Sequence, residues 1–93
     1  MRRLVVIGGG ISGLAAAWAA RRAGGADELE VRVLERAREV GGKANSIARD
    51  GWLVESGPSG YLGGRPELER LIEEVGLSGE RVPVNAASVR RLL

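Results

Sequence analysis

The sequence predicts an α/β fold: a parallel βαβ unit, then a β-hairpin, then an amphipathic helix, together forming an incomplete domain. Three observations predict it. A short β-branched run is closed by three consecutive glycines and followed by an Ala-rich helical stretch. A second, alternating apolar run follows that stretch and ends on an acid. Further on, an Asp-Gly pair separates two short runs of strand character.

The elements follow in chain order. Arg3–Ile7 is rich in β-branched residues and ends at Gly8–Gly10, the pattern of a buried strand. From Ile11 to Ala23, Ile11, Leu14, Ala15 and Trp18 recur at helical spacing, and Gly24-Gly25 stops the helix. Leu29–Leu34 alternates through Leu29, Val31 and Val33, which completes a parallel strand–helix–strand unit. Arg36–Asn45 reads as a loop or short helix containing Gly41-Gly42. Ser46–Arg49 and Trp52–Glu55 flank Asp50-Gly51, a strong two-residue hairpin signal. That register sets Ile47 opposite Val54 and Arg49 opposite Trp52, where a guanidinium could stack on indole. Pro66 opens a helix at its first position. Leu68, Leu71, Ile72 and Val75 form its apolar stripe, and Gly76 ends it. Arg81–Val84 and Val89–Leu93 look like strands. Two parallel strands make no stable sheet by themselves, because such sheets are covered on both faces. The 93 residues are therefore expected to open a larger domain.

Composition narrows the chemistry. The chain has no Cys and no His, so disulfides, thiolate chemistry, Cys/His metal sites and histidine bases are excluded. Redox chemistry would have to come from a bound cofactor. The formal charge is +2, and 13 Arg against one Lys reflects a compositional bias more than a nucleic-acid face, so no nucleic-acid partner is expected. Leu4–Ala20 is uncharged between Arg2-Arg3 and Arg21-Arg22, which invites comparison with a signal peptide or membrane anchor. A spanning helix needs ~20 mostly apolar residues, whereas this run carries four glycines and a serine. No membrane segment is expected.

The chemistry lies in Gly8-Gly9-Gly10-Ile11-Ser12-Gly13, a G-x-G-x-x-G that follows a strand and opens a helix. Gly8 permits the tight turn, Gly10 lets the backbone approach a pyrophosphate, and Gly13 allows close helix–strand packing. The helix start offers free N–H groups and its positive dipole end to phosphate. Glu35, 22 residues after Gly13 at the end of the second strand, would accept hydrogen bonds from ribose hydroxyls. With this fingerprint the βαβ unit reads as Rossmann-like. The Glu35 carboxylate disfavours the 2′-phosphate of NADP, leaving NAD and FAD open. Gly41-Gly42-Lys43 can fold back over the phosphates with Lys43 as a counter-charge, or serve only as a turn into the hairpin. Trp18 reads as helix packing, and Glu73-Glu74 and Arg90-Arg91 as a solvated helix face and a strand edge.

These residues resemble a family. Val5–Ala17 with its glycines, Leu34-Glu35-Arg36 and Val40-Gly41-Gly42-Lys43 resemble the N-terminus of the flavin amine oxidase/protoporphyrinogen oxidase superfamily. Within it, Asp50-Gly51, Glu55-Ser56-Gly57-Pro58-Ser59-Gly60-Tyr61-Leu62, Leu71–Leu77, Arg81–Asn85 and Arg90–Leu93 resemble the porphyrinogen oxidases best. Ser59 stands where the usual Asn follows Gly-Pro, and Tyr61-Leu62 where Phe-Leu is usual. Those departures keep amine oxidases and carotenoid desaturases as alternatives.

The resemblance implies FAD as cofactor. It implies that Gly8, Gly10, Ile11, Ser12 and Gly13 hold the pyrophosphate. Glu35 would hold the adenosine ribose, with Arg36 beside the adenosine, while Gly42 and Lys43 line the phosphate and ribityl stretch. Gly57, Pro58 and Ser59 would lie near the isoalloxazine. It further implies an oxidoreductase of haem biosynthesis that oxidises protoporphyrinogen IX or coproporphyrinogen III, a small-molecule partner, with oxygen as acceptor. Residues 1–93 would be the N-terminal part of its FAD-binding domain, inactive by themselves. Its location is expected to be cytoplasmic, with membrane association left open. A non-catalytic dinucleotide-binding fragment is the alternative of another class. No residue of this stretch is expected to be catalytic, and none to bind a metal.

Overall fold

The computed structural model describes residues 1–85, which fall into two compact units, 1–61 and 62–85. The first contains β1 (Arg2–Ile7), α1 (Ile11–Gly24), β2 (Leu29–Leu34), β3 (Ser46–Arg49) and β4 (Trp52–Glu55). The second contains α2 (Pro66–Glu74) and a 3₁₀ turn at Ser78–Glu80.

In the first unit β1 and β2 pair in parallel from Arg2↔Leu29 to Ile7↔Leu34, with α1 as the crossover packed against both. This is the βαβ unit expected from the alternating runs. The register places Arg3 opposite Glu30, whose carboxylate accepts from the Nε of Arg3 at 2.8 Å and of Arg32 at 2.6 Å. Those guanidiniums, Arg3 foremost, hold the Glu30 carboxyl below the usual range. Glu30 is partly exposed and both arginines are exposed, and such pairs add little to stability. Among the described residues Ala17 is the buried apolar side chain, on the α1 face that meets the sheet. Arg21 and Arg22 in the last turn of α1 complement its negative dipole end. The Arg22 guanidinium lies 5.7 Å from the centre of the Trp18 ring.

β3 and β4 pair in the expected register, Ile47↔Val54 and Arg49↔Trp52. The turn between them has positive φ at both Asp50 (50°) and Gly51 (80°), the primed geometry whose twist suits a hairpin. A cation–π stack of Arg49 on Trp52 is not found among the described residues; the pair is only in register. All eight strand residues of the hairpin are exposed.

In the second unit Pro66 occupies the first turn of α2, as its fixed φ favours. The helix ends in a paired capping arrangement. Gly76 at φ 80° donates to the Glu73 carbonyl at 3.1 Å, and Leu77 donates to that of Ile72 at 2.9 Å. Gly64 N–H donates to Glu69 Oε1 at 3.2 Å, and Arg81 pairs with Glu69 Oε2. The expected strand at Arg81–Val84 does not form; 81–85 have no regular structure. A strand needs a ladder partner, and among the described residues this stretch has none. The expected strand at Val89–Leu93 and the Arg90-Arg91 pair lie outside the described residues. Among the described residues, no helix is long and apolar enough to cross a membrane.

Candidate functional site

The glycine turn begins where β1 runs out. Gly8 continues the parallel pairing by donating to the Leu34 carbonyl at 2.8 Å, then turns with φ 102°, a conformation that disfavours any side chain. Gly10 stands at the N-cap of α1, and Leu14 N–H donates to its carbonyl at 2.9 Å. Gly13 lies in the first helical turn directly over the turn backbone. A Cβ there would be driven into the Gly8 carbonyl oxygen. By contrast a Cβ on Gly10 would meet nothing within 4 Å. The two glycines thus serve opposite ends: Gly13 packs against the turn, as its spacing suggests, whereas the flank of Gly10 is open.

No side chain caps α1, and no acid sits in its first turn. The N–H groups of Ile11, Ser12 and Gly13 precede the first intrahelical bond, so this end carries partial positive charge with unmet donor capacity. Such an end attracts anions.

Glu35 follows β2 immediately and faces the same turn. Its Oε1 accepts from Gly9 N–H at 2.9 Å and its Oε2 from Ala37 N–H at 2.8 Å. The Ala37 and Gly9 donors hold the carboxyl below the ordinary glutamate range against opposing desolvation, with a lesser pull from Arg36. A carboxylate has about four acceptor positions, so two bonds leave capacity for outside donors.

Gly9 is the residue that spacing did not single out, because it occupies a variable position of the motif. It is buried, and a Cβ on it would come within 3.0 Å of Val40 Cγ1 and 3.2 Å of Glu35 Cβ. Its carbonyl accepts from Gly41 N–H at 2.8 Å. The run of three glycines was the available signal.

The second glycine pair does return to the first. Gly10 and Gly41 form a parallel bridge, and a Cβ on Gly42 would lie 3.2 Å from Gly10 Cα. Two shallow clefts flank this junction. One, of about 280 Å³, is lined by Gly10, Ile11 and Ser12 on one side and by Gly41, Lys43, Ala44 and Pro58 on the other. The second, of about 340 Å³, is lined by Glu35, Ala37, Arg38, Glu39, Val40, Gly42 and Asn45. Gly8 and Gly13 line neither cleft. Arg36 and Ser59 are exposed and line neither cleft, and Gly57 packs on the backbone of Lys43. Among the described residues no cluster of acids could hold a metal ion.

The resemblance noted from the residues holds over most of the chain. Coproporphyrinogen III oxidase of Propionibacterium freudenreichii subsp. freudenreichii is 48% identical over 77 residues, covering 83% of this chain and 14% of the relative. A solved structure from Exiguobacterium sp. 255-15, assigned as a protoporphyrinogen oxidase, superimposes with a TM-score of 0.71 at 42% identity, over 84% of this chain and 17% of that one. L-amino-acid oxidase of Pseudechis australis is 39% identical over 75 residues, 78% of this chain and 13% of the relative. The chain therefore spans less than a fifth of the length of each of these relatives. The family model described as an NAD(P)-binding Rossmann-like domain matches residues 6–75, from within β1 to the end of α2. A dinucleotide is the class of cofactor that this match and the oxidase relatives imply. Since that one model accounts for most of the sequence, the chain belongs to the NAD(P)-binding Rossmann-like domain family.

Proposed function

We propose that these residues are the N-terminal part of the FAD-binding domain of a longer, FAD-dependent porphyrinogen oxidase of haem biosynthesis. The observation that carries this reading is the 48% identity to coproporphyrinogen III oxidase, which extends well beyond what a shared glycine motif needs. It favours coproporphyrinogen III over protoporphyrinogen IX as substrate; oxygen as acceptor and a cytoplasmic location belong to the same proposal.

The residues present suit FAD on physical grounds. The start of α1 is uncapped and free of acids, and the flank of Gly10 is open. Gly8, Gly10, Ile11, Ser12 and Gly13 hold the pyrophosphate through backbone N–H groups and the helix dipole. Glu35 accepts from the adenosine ribose with its remaining lone pairs, and Arg36 flanks the adenosine. Gly42 and Lys43 line the phosphate and ribityl stretch, where the ammonium offsets phosphate charge. Gly57, Pro58 and Ser59 lie on the isoalloxazine side. When bound, FAD would supply two-electron oxidations, three of which take a porphyrinogen to the porphyrin, and the protein's part is to bind and orient it.

The test has two arms. Reading the gene past Leu93 should show an open frame; a stop codon there defeats the longer-protein reading. The full-length product should purify with FAD and convert coproporphyrinogen III to the porphyrin, followed by porphyrin fluorescence. A second reading, an L-amino-acid oxidase, is favoured by the 39% identity to the Pseudechis australis enzyme. Turnover of an L-amino acid with none of a porphyrinogen would decide for it.

A further inference from the structure

We infer that the Ser56-Gly57 step is a positioning element: it holds the main chain of residues 43–45 so that Lys43 lines the cleft beside the start of α1. This rests on the FAD reading above. It goes beyond that reading by having Gly57 act through Lys43 instead of through contact with the isoalloxazine.

Five contacts carry it. A Cβ built on Gly57 would overlap the Lys43 carbonyl oxygen and come within 2.8 Å of its carbonyl carbon. Ser56 N–H and Ser56 Oγ both donate to the Asn45 carbonyl, at 2.9 and 3.0 Å. On the opposite side, Gly41 N–H donates to the Gly9 carbonyl at 2.8 Å, and Gly42 sits hard against Gly10. The 41–45 segment is thus gripped between the glycine turn and the residues after β4, with Lys43 at its middle facing the cleft shared with Gly10, Ile11, Ser12 and Pro58.

Gly57 does not have a positive φ, so alanine is conformationally acceptable there. The whole objection to a side chain is the collision with Lys43. Since the struck atom belongs to the main chain, no rotamer change relieves it, and either the Lys43 peptide or the 56–57 step has to move, loosening the grip between them. Gly60 is the matched control. It lies three residues on, lacks a positive φ, and a Cβ there meets nothing within 4 Å.

The experiment titrates the full-length apoprotein with FAD by flavin fluorescence at low and high salt. Lys43→Ala should weaken FAD about three-fold at low salt, the scale of one exposed ion pair, and flatten the salt dependence. Gly57→Ala should reproduce both effects, and the double variant should be no weaker than the worse single one. Gly60→Ala should match wild type in both. The inference is overturned if Gly57→Ala binds as wild type does, if it weakens binding with an unchanged salt dependence, or if the two substitutions add. Where Gly57→Ala yields no soluble protein, Ser56→Ala carries the same test. It drops only the hydroxyl's hydrogen bond and should show a smaller loss with the same flattening; wild-type values overturn the inference. A wild-type protein that binds no FAD defeats the functional reading and this inference together, whereas failure in the variants alone defeats only the inference.

Discussion

The two glycine-bearing segments of the site, 8–13 and 41–45, are constrained in different ways. In the first, the constraints arise within the βαβ unit. Gly8 takes a positive φ, Gly13 lies over the Gly8 carbonyl, and Gly10 keeps a free flank. In the second, Gly41 and Gly42 also take positive φ, 116° and 59°, but the segment is held in addition by backbone distant along the chain: the Gly9 carbonyl on one side, Ser56 and Gly57 on the other. Glycines whose restriction is local announce themselves by spacing. A restriction imposed by a distant neighbour, as at Gly57, does not, because the sequence does not state which backbone will approach it.

This contrast can be broken by substitution in the full-length protein. Gly13→Ala should have the largest effect, with a loss of about 3 kcal/mol and no retained FAD, because overpacking against main chain has no easy relief. Denaturant unfolding and flavin content of the purified protein measure both; a stability within error of wild type would remove the packing role. Gly10→Ala should separate fold from ligand. Its stability should stay within about 0.5 kcal/mol, since nothing lies near the new methyl, while FAD affinity falls about ten-fold or more. Equal losses in both measurements would erase the distinction between Gly10 and Gly13.

Glu35→Ala should weaken FAD about ten-fold by removing a charged acceptor from both the ribose and the turn. Its carboxyl titrates lower in the folded chain than in the unfolded one, chiefly because of the Ala37 and Gly9 N–H groups. The stability this contributes is complete above the unfolded glutamate value and is lost as pH falls through the lowered folded value. The melting-temperature gap between wild type and Glu35→Gln should therefore be constant near neutrality and narrow on acidification. A gap that widens with acid contradicts the assigned bonds. The smallest effect belongs to Gly51→Ala at the hairpin turn. It should cost about 1 kcal/mol for its positive φ and leave FAD affinity unchanged.

Much of the first unit was legible in the sequence. The bounds of β2, β3 and β4, the hairpin register and the G-x-G-x-x-G turn follow from alternation, Asp-Gly and glycine spacing. The helix stop at Gly76 was legible too, since a left-handed residue there closes both bonds of the cap. Two features were not. Arg81–Val84 has strand composition yet forms no strand, because composition does not supply a partner. Gly9 has a role that no motif marks: its amide and carbonyl serve residues that become neighbours only after β1 and β2 pair.

That last point has a consequence for how the site comes into being. Gly9 and Glu35 are 26 residues apart, and Gly41 lies further on still. Closing contacts over such separations is slow compared with winding a helix. On a growing chain, α1 can wind as soon as it is clear of the ribosome, while the turn ahead of it stays loose. The hydrogen bonds of the Gly9 peptide can close only once Glu35 and Gly41 have been made. The site is thus a product of contacts between separated stretches of chain, and the glycine turn cannot take its final shape before the segments made after it.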